Sequence, residues 1–217
     1  MAKKRSIAAI ILAAGSSSRM EKQQHKLLLP LGDHPVVTHV LAAALASQAQ
    51  PIIVVLGHQA EQVRTALSTL SATNKTLLFI ENPDYKQGMS TSLRAGLQAL
   101  TQLDSEISAD GALILLGDQP LITTQVIDTL IAAKETSTKQ IVAARYNGKR
   151  GNPVIFGSEL FPELMTVTGD EGGRSIIERH REDVASIEVG DPVANSDVDT
   201  WSAYQQVVAA WTEGQRE

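Results

Sequence analysis

The sequence predicts an α/β protein: a mostly parallel sheet with helices on both faces. Two observations predict it. Residues 52–56, Ile-Ile-Val-Val-Leu, are apolar with no polar alternation, as in a strand buried on both faces. Strand-like runs also alternate with helix-like stretches along most of the chain, the order expected when helices cross between parallel strands.

The elements follow in order. Residues 7–13 (IAAIILA) read as the first strand, and 51–57, 76–81, 112–117 and 140–145 as the next four. Helical stretches fall between them at 36–47, 60–70, 90–103 and 123–134. An Asn-Gly turn and "NPVIF" near 148–157 predict a hairpin or insertion. Two more helices, near 173–180 and 200–211, follow. Neither an internal repeat nor a linker-sized boundary interrupts the pattern, so a single domain over 1–217 is expected.

Composition narrows the function. The formal charge of the 217 residues is -5 and no basic stripe is visible, which argues against nucleic acid or a membrane surface as the main partner. Cysteine is absent, which excludes disulfides and thiolate metal sites. Lys3, Lys4 and Arg5 before the first apolar run resemble the start of a secretion signal. That run is short and helix-breaking residues follow it at once. No second apolar stretch reaches the roughly 18–20 residues that span a bilayer. A cytoplasmic location is expected.

In open parallel sheets, ligands bind beyond the carboxyl ends of the strands. The first strand ends in Ala13, Ala14 and Gly15, whose small side chains let a ligand approach the backbone. Ser16, Ser17 and Ser18 then offer N–H and hydroxyl donors, and Arg19 and Lys26 offer positive charge, together suited to phosphates. A serine-rich turn with solvated cations is the plainer alternative. The loop matches neither the Walker spacing nor the dinucleotide fingerprint.

Other candidates share this character. In "LILLGDQP" Asp118 follows a strand end, where a carboxylate can hold Mg²⁺ or merely form an Asx turn. Asp197 and Asp199 in "NSDVDTW" either complete such a site or cap the last helix. In "GMSTSLRAGL", Gly88 permits close approach, Ser90 is placed to cap a helix, and Ser92 falls in its first turn. "KRGNPVIF" and "GDEGGR" are two more glycine-bearing loops with a cation beside them. His58 follows a strand-end glycine and is expected to be loop structure. His25, His34, His39 and His180 show no metal-ligand spacing.

Taken together, "LAAGSSSRM", Lys26, "GMSTSLRAGL", "GDQP", "RGNPVIF", "GDEGGR" and "DVDT" resemble the MobA-like nucleotidyltransferases, in consistent order from Ile7 to about Tyr204. Within them the chain is most similar to the molybdenum cofactor cytidylyltransferases, through "RGNPV", "GDEGGR" and the "LAAG" form of the first motif. The resemblance implies a Rossmann-like fold of the nucleotide-diphospho-sugar transferase type. It implies Mg²⁺-dependent transfer of CMP from CTP to the terminal phosphate of molybdenum-molybdopterin, giving the cytosine dinucleotide cofactor and pyrophosphate. It assigns Ala13–Gly15 to base and ribose, Ser16–Arg19 and Lys26 to the triphosphate, and Gly88 and Ser92 to the base. Arg19, Lys26 and Asp118 become the catalytic set and Asp118 and Asp199 the metal ligands. Arg150, Asn152 and the "GDEGGR" loop, including Arg174, face the second substrate.

Two departures stand out. Glu21 occupies a position that is often glycine in the family, and the interval from Met20 to Lys26 is longer than is common. Lys22 is therefore an alternative to Lys26 as the phosphate-binding cation, and either is expected to behave as an exposed loop lysine with little effect on stability. Two alternative functions remain: a factor carrying molybdenum cofactor to a client molybdenum hydroxylase, and a nicotinamide-dependent oxidoreductase of the same fold.

Overall fold

The computed structural model describes residues 6–16, 20, 25–70, 76–103 and 109–215. Its main sheet has seven strands: β1 (Ile7–Ala13), β4 (Ile52–Leu56), β5 (Leu77–Glu81), β6 (Gly111–Leu116), β7 (Ile141–Tyr146), β8 (Lys149–Gly157) and β9 (Val184–Glu188), in the order β5-β4-β1-β6-β8-β7-β9. β2 (Pro30–Leu31) and β3 (His34–Pro35) form a separate small hairpin. Only β8 runs antiparallel to its neighbours in the main sheet. The Asn147–Gly148 turn joins β7 to β8, and both residues have positive φ, as a tight hairpin turn requires.

The sheet separates two cores, and β1 shows how. Ile7, Ala9, Ile11 and Ala13 face one side, with α1 (Val36–Ala46), α2 (Ala60–Leu67) and α4 (Thr124–Thr136). Ala8 and Ile10 face the other, with α3 (Met89–Thr101), α5 (Phe161–Leu164) and α6 (Arg174–Arg179). Successive strand residues point to opposite faces, so a strand covered on both must be apolar throughout. α3 packs so closely on β1 that a Cβ on Gly96 would stand 2.4 Å from Ile10 Cγ2.

The expected strands and helices all form, within a few residues of their anticipated ends. Among the described residues, the strands and α-helices not anticipated are β9, α5 and the two strands of the small hairpin. β9 (VASIE) is an edge strand with no fully buried residue, so it carries no apolar run. No described helix is long and apolar enough to cross a membrane.

A third, smaller cluster places the site. Met20, Leu29, Leu31 and Val36 pack with Val198, Tyr204 and Val207, the last two on α7 (Trp201–Gly214). It fastens the segment after the first strand loop to the C-terminal part of the chain.

Candidate active site

The chain runs from β1 to β4 and β5 on one side, then crosses to β6 on the other, so β1 lies at a topological switch point. Ala13 and Gly15 mark the carboxyl end of β1, and Asp118 follows β6 by two residues. The Val198 N–H donates to the Asp118 carbonyl at 2.9 Å, which docks the "DVDT" segment against that strand end. Val198 is fully buried and Asp197 and Asp199 project beside it.

Lys26 joins these pieces. Its ammonium donates to Asp118 Oδ2 and, at 2.6 Å, to Asp199 Oδ1. Burial opposes the charge, but Asp118 and Asp199 outweigh it and hold the lysine pKa above its ordinary value. The expectation of an exposed loop lysine is therefore corrected: the Lys26 side chain is 12% exposed and bridges two carboxylates. Arg19, Ser17, Ser18 and Lys22 lie outside the described residues.

His25 holds Lys26 in place. It is 6% exposed and lies parallel to His58, with centroids 5.4 Å apart. Its Nδ1 accepts from the Leu27 N–H at 3.3 Å, so its proton sits on Nε2, which donates to the His58 carbonyl at 3.0 Å. Burial lowers its pKa and keeps the ring neutral. Spacing along the chain gave no sign of this, because the partner ring lies 33 residues away.

Two neighbouring cavities open at this end of the sheet. The first, about 460 Å³, is lined by Ala14, Gly15, Ser16, Lys26, Gly88, Ser92, Asp118 and Asp199. Ala13 is buried just behind this wall. The second, about 420 Å³, is lined by Arg150, Asn152, Arg174 and Gln119 among others. Leu12, Met89, Leu116 and Asp170 line both. The residues expected around a nucleotide thus gather in one space, apart from those outside the described residues, and those expected around a second substrate gather in the next.

Several side chains hold the second cavity's wall. Gln119 Nε2 donates to Asp197 Oδ1 at 2.7 Å. Asn195 Oδ1 accepts from the Asn152 N–H at 2.9 Å. The Tyr146 hydroxyl donates to the Asn152 carbonyl at 2.7 Å, and burial pushes its pKa up to about 12.

Two expectations about caps need correcting. Thr200, not Asp197 or Asp199, caps α7, accepting from the Ala203 N–H at 3.2 Å. Ser90 does not cap α3: its hydroxyl is buried and unbonded, and Asp170 Oδ1 accepts from the Met89 N–H instead, at 3.1 Å. Gly88 lines the first cavity and is also needed for a close approach within the chain itself. Its φ is +110°, and a Cβ there would stand 2.5 Å from the Gly169 carbonyl.

The MobA-like NTP transferase domain matches residues 9–184. The chain belongs to the MobA-like NTP transferase family. In keeping with that family, it is similar to a solved homologue, from Mycobacterium sp. strain JC1, of Mycobacterium tuberculosis Rv0371c. The two are 30% identical, with 95% of this chain and 97% of that one covered and a TM-score of 0.78. Rv0371c from Mycobacterium tuberculosis H37Rv, solved in complex with manganese, is 29% identical over 94% of this chain and 99% of its own, with a TM-score of 0.73. Among curated relatives, the bifunctional protein GlmU of Syntrophotalea carbinolica is 34% identical over 129 residues, which are 59% of this chain and 25% of GlmU. This chain thus spans about a quarter of the length of such relatives.

Proposed function

We propose that this chain, acting as one nucleotidyltransferase domain, transfers CMP from CTP to the terminal phosphate of molybdenum-molybdopterin and releases pyrophosphate. The observation that carries the reading is the pair of adjoining cavities, one holding Lys26, Asp118 and Asp199 and the other Arg150, Asn152 and Arg174. Two substrates seated side by side would bring an attacking phosphate to a nucleotide's α-phosphate without a covalent enzyme intermediate, and positioning alone can supply much of the acceleration.

The residues fit a magnesium ion. Asp118 and Asp199 offer hard oxygen donors that already converge on a single cation, the Lys26 ammonium. Mg²⁺ needs one or two carboxylates when phosphates and water complete its shell. Among the described residues no larger acidic cage is present. Bound there, Mg²⁺ would neutralise phosphate charge. The manganese complex of Rv0371c supports divalent-metal chemistry in this fold. Lys26 brings its charge to the same end of the cavity, and the Gly15 and Ser16 backbone lines the approach.

Pyrophosphate release with each of the four nucleoside triphosphates, with and without molybdenum cofactor, tests this reading. CTP should exceed GTP and ATP by at least about tenfold in kcat/KM, roughly 1.4 kcal/mol, and only with the cofactor present. Equal turnover with GTP removes the cytidylyl assignment, and turnover indifferent to the cofactor removes the acceptor.

A further inference from the structure

Asp170 sits where the "GDEGGR" loop touches α3. Its Oδ1 accepts from the Met89 N–H at 3.1 Å, and the adjacent Gly169 carbonyl accepts from the Ser90 N–H at 3.0 Å. These two bonds fix the carboxylate beside Gly88, on the wall that the first cavity shares with the second. Among the described residues, Met89 supplies the only hydrogen bond this carboxylate makes. Among those residues no donor meets its remaining lone pairs.

We infer that Asp170 is a specificity-determining residue that accepts a hydrogen bond from the exocyclic amine of the bound base, and so selects cytosine over uracil. The inference rests on the nucleotide reading of the first cavity. An ionised carboxylate accepts only, and pairs with the cytosine N4 amine as acidic side chains do in base recognition. Uracil presents a carbonyl oxygen at the same position, so two acceptors would face each other. Lys26, Asp118 and Asp199 set the phosphate end of the cavity, where the two carboxylates share a cation; a carboxylate with no cation beside it would repel phosphates there. The hydrogen bond to Met89 and the close approach to Gly88 instead put Asp170 beside a residue that the resemblance assigns to the base. Because Asp170 is exposed before ligand binds, water competes for the same lone pairs and the discrimination is moderate.

Asp170→Asn separates this role from the helix contact. The Asn oxygen can still accept from the Met89 N–H, while the other atom becomes a donor. Equilibrium binding of CTP and UTP with Mg²⁺ should show the parent preferring CTP by about tenfold. In Asp170→Asn the ratio should fall to about threefold or less, with CTP weakened and UTP strengthened. Asp170→Ala should weaken CTP without strengthening UTP. If the parent binds no nucleotide, the reading of the cavity fails. If the parent prefers CTP and Asp170→Asn keeps the full ratio, Asp170 does not read the base.

Discussion

Lys26 Nζ lies 2.6 Å from Asp199 Oδ1, although 173 residues separate the two along the chain. The third hydrophobic cluster brings them together, because Leu29 and Leu31 pack with Val198 and Tyr204. The ammonium is therefore part of the architecture as well as a candidate phosphate ligand.

Lys26→Ala tests both roles. Without the ammonium, Asp118 and Asp199 face each other at neutral pH. Stability should fall by about 1–2 kcal/mol, below the ~3–5 kcal/mol of a fully buried pair because Asp199 keeps some solvent. Added Mg²⁺ should raise the melting temperature of the variant more than that of the parent, and kcat should drop rather than KM alone rise. Unchanged melting and kinetics together would leave the bridge without consequence.

Asp118→Asn keeps the side-chain shape and removes one charge. Turnover of CTP should fall by at least about a hundredfold, ~2.7 kcal/mol, as for loss of a strong electrostatic contact at a reacting centre. Asp199→Asn should behave similarly, since Thr200 already caps α7 and leaves Asp199 no capping role. Folded Asp118→Asn protein with parental turnover would rule the metal assignment out.

His25 sets a pH dependence of stability. Burial holds its pKa below the ordinary 6.5. Below that pH the unfolded chain binds the proton more readily than the folded one, so stability is full above about pH 6.5 and is lost as pH falls toward the depressed value. His25→Asn can still accept from the Leu27 N–H but does not titrate. Thermal melts from pH 7.5 to 5 should show a smaller decline for this variant than for the parent; identical declines would exclude His25 as a source.

Gly88→Ala should destabilise by about 2–4 kcal/mol in urea unfolding, because it combines a left-handed backbone with a clash against Gly169. A loss under about 0.5 kcal/mol would show that the 169–173 loop yields freely.

How much of this was legible beforehand follows from burial. β1 and β4 are covered on both faces, so their sequences must be apolar throughout and declare themselves. β9 sits at an edge and writes no such pattern. Asp118 and Asp199 stood out because each lies in a recognisable motif, yet their meeting at Lys26 depends on Leu29 and Leu31 packing with Val198, a long-range contact that no local pattern displays. His25 and Asp170 were illegible as individual residues. One is defined by a ring 33 positions away, the other by a helix terminus 81 positions away.

The span between Lys26 and Asp199 bears on how the protein is made. A chain emerging from the ribosome presents Lys26 first and Asp118 92 residues later, and the site waits for Val198 and for Asp199, 173 residues after Lys26, to dock. Long-range closures of this kind come late in folding. A chain that stops short of Val198 lacks the second carboxylate and the packing that aims it. Occupancy of the site thereby records that the chain has been made through Asp199 and that Val198 has docked.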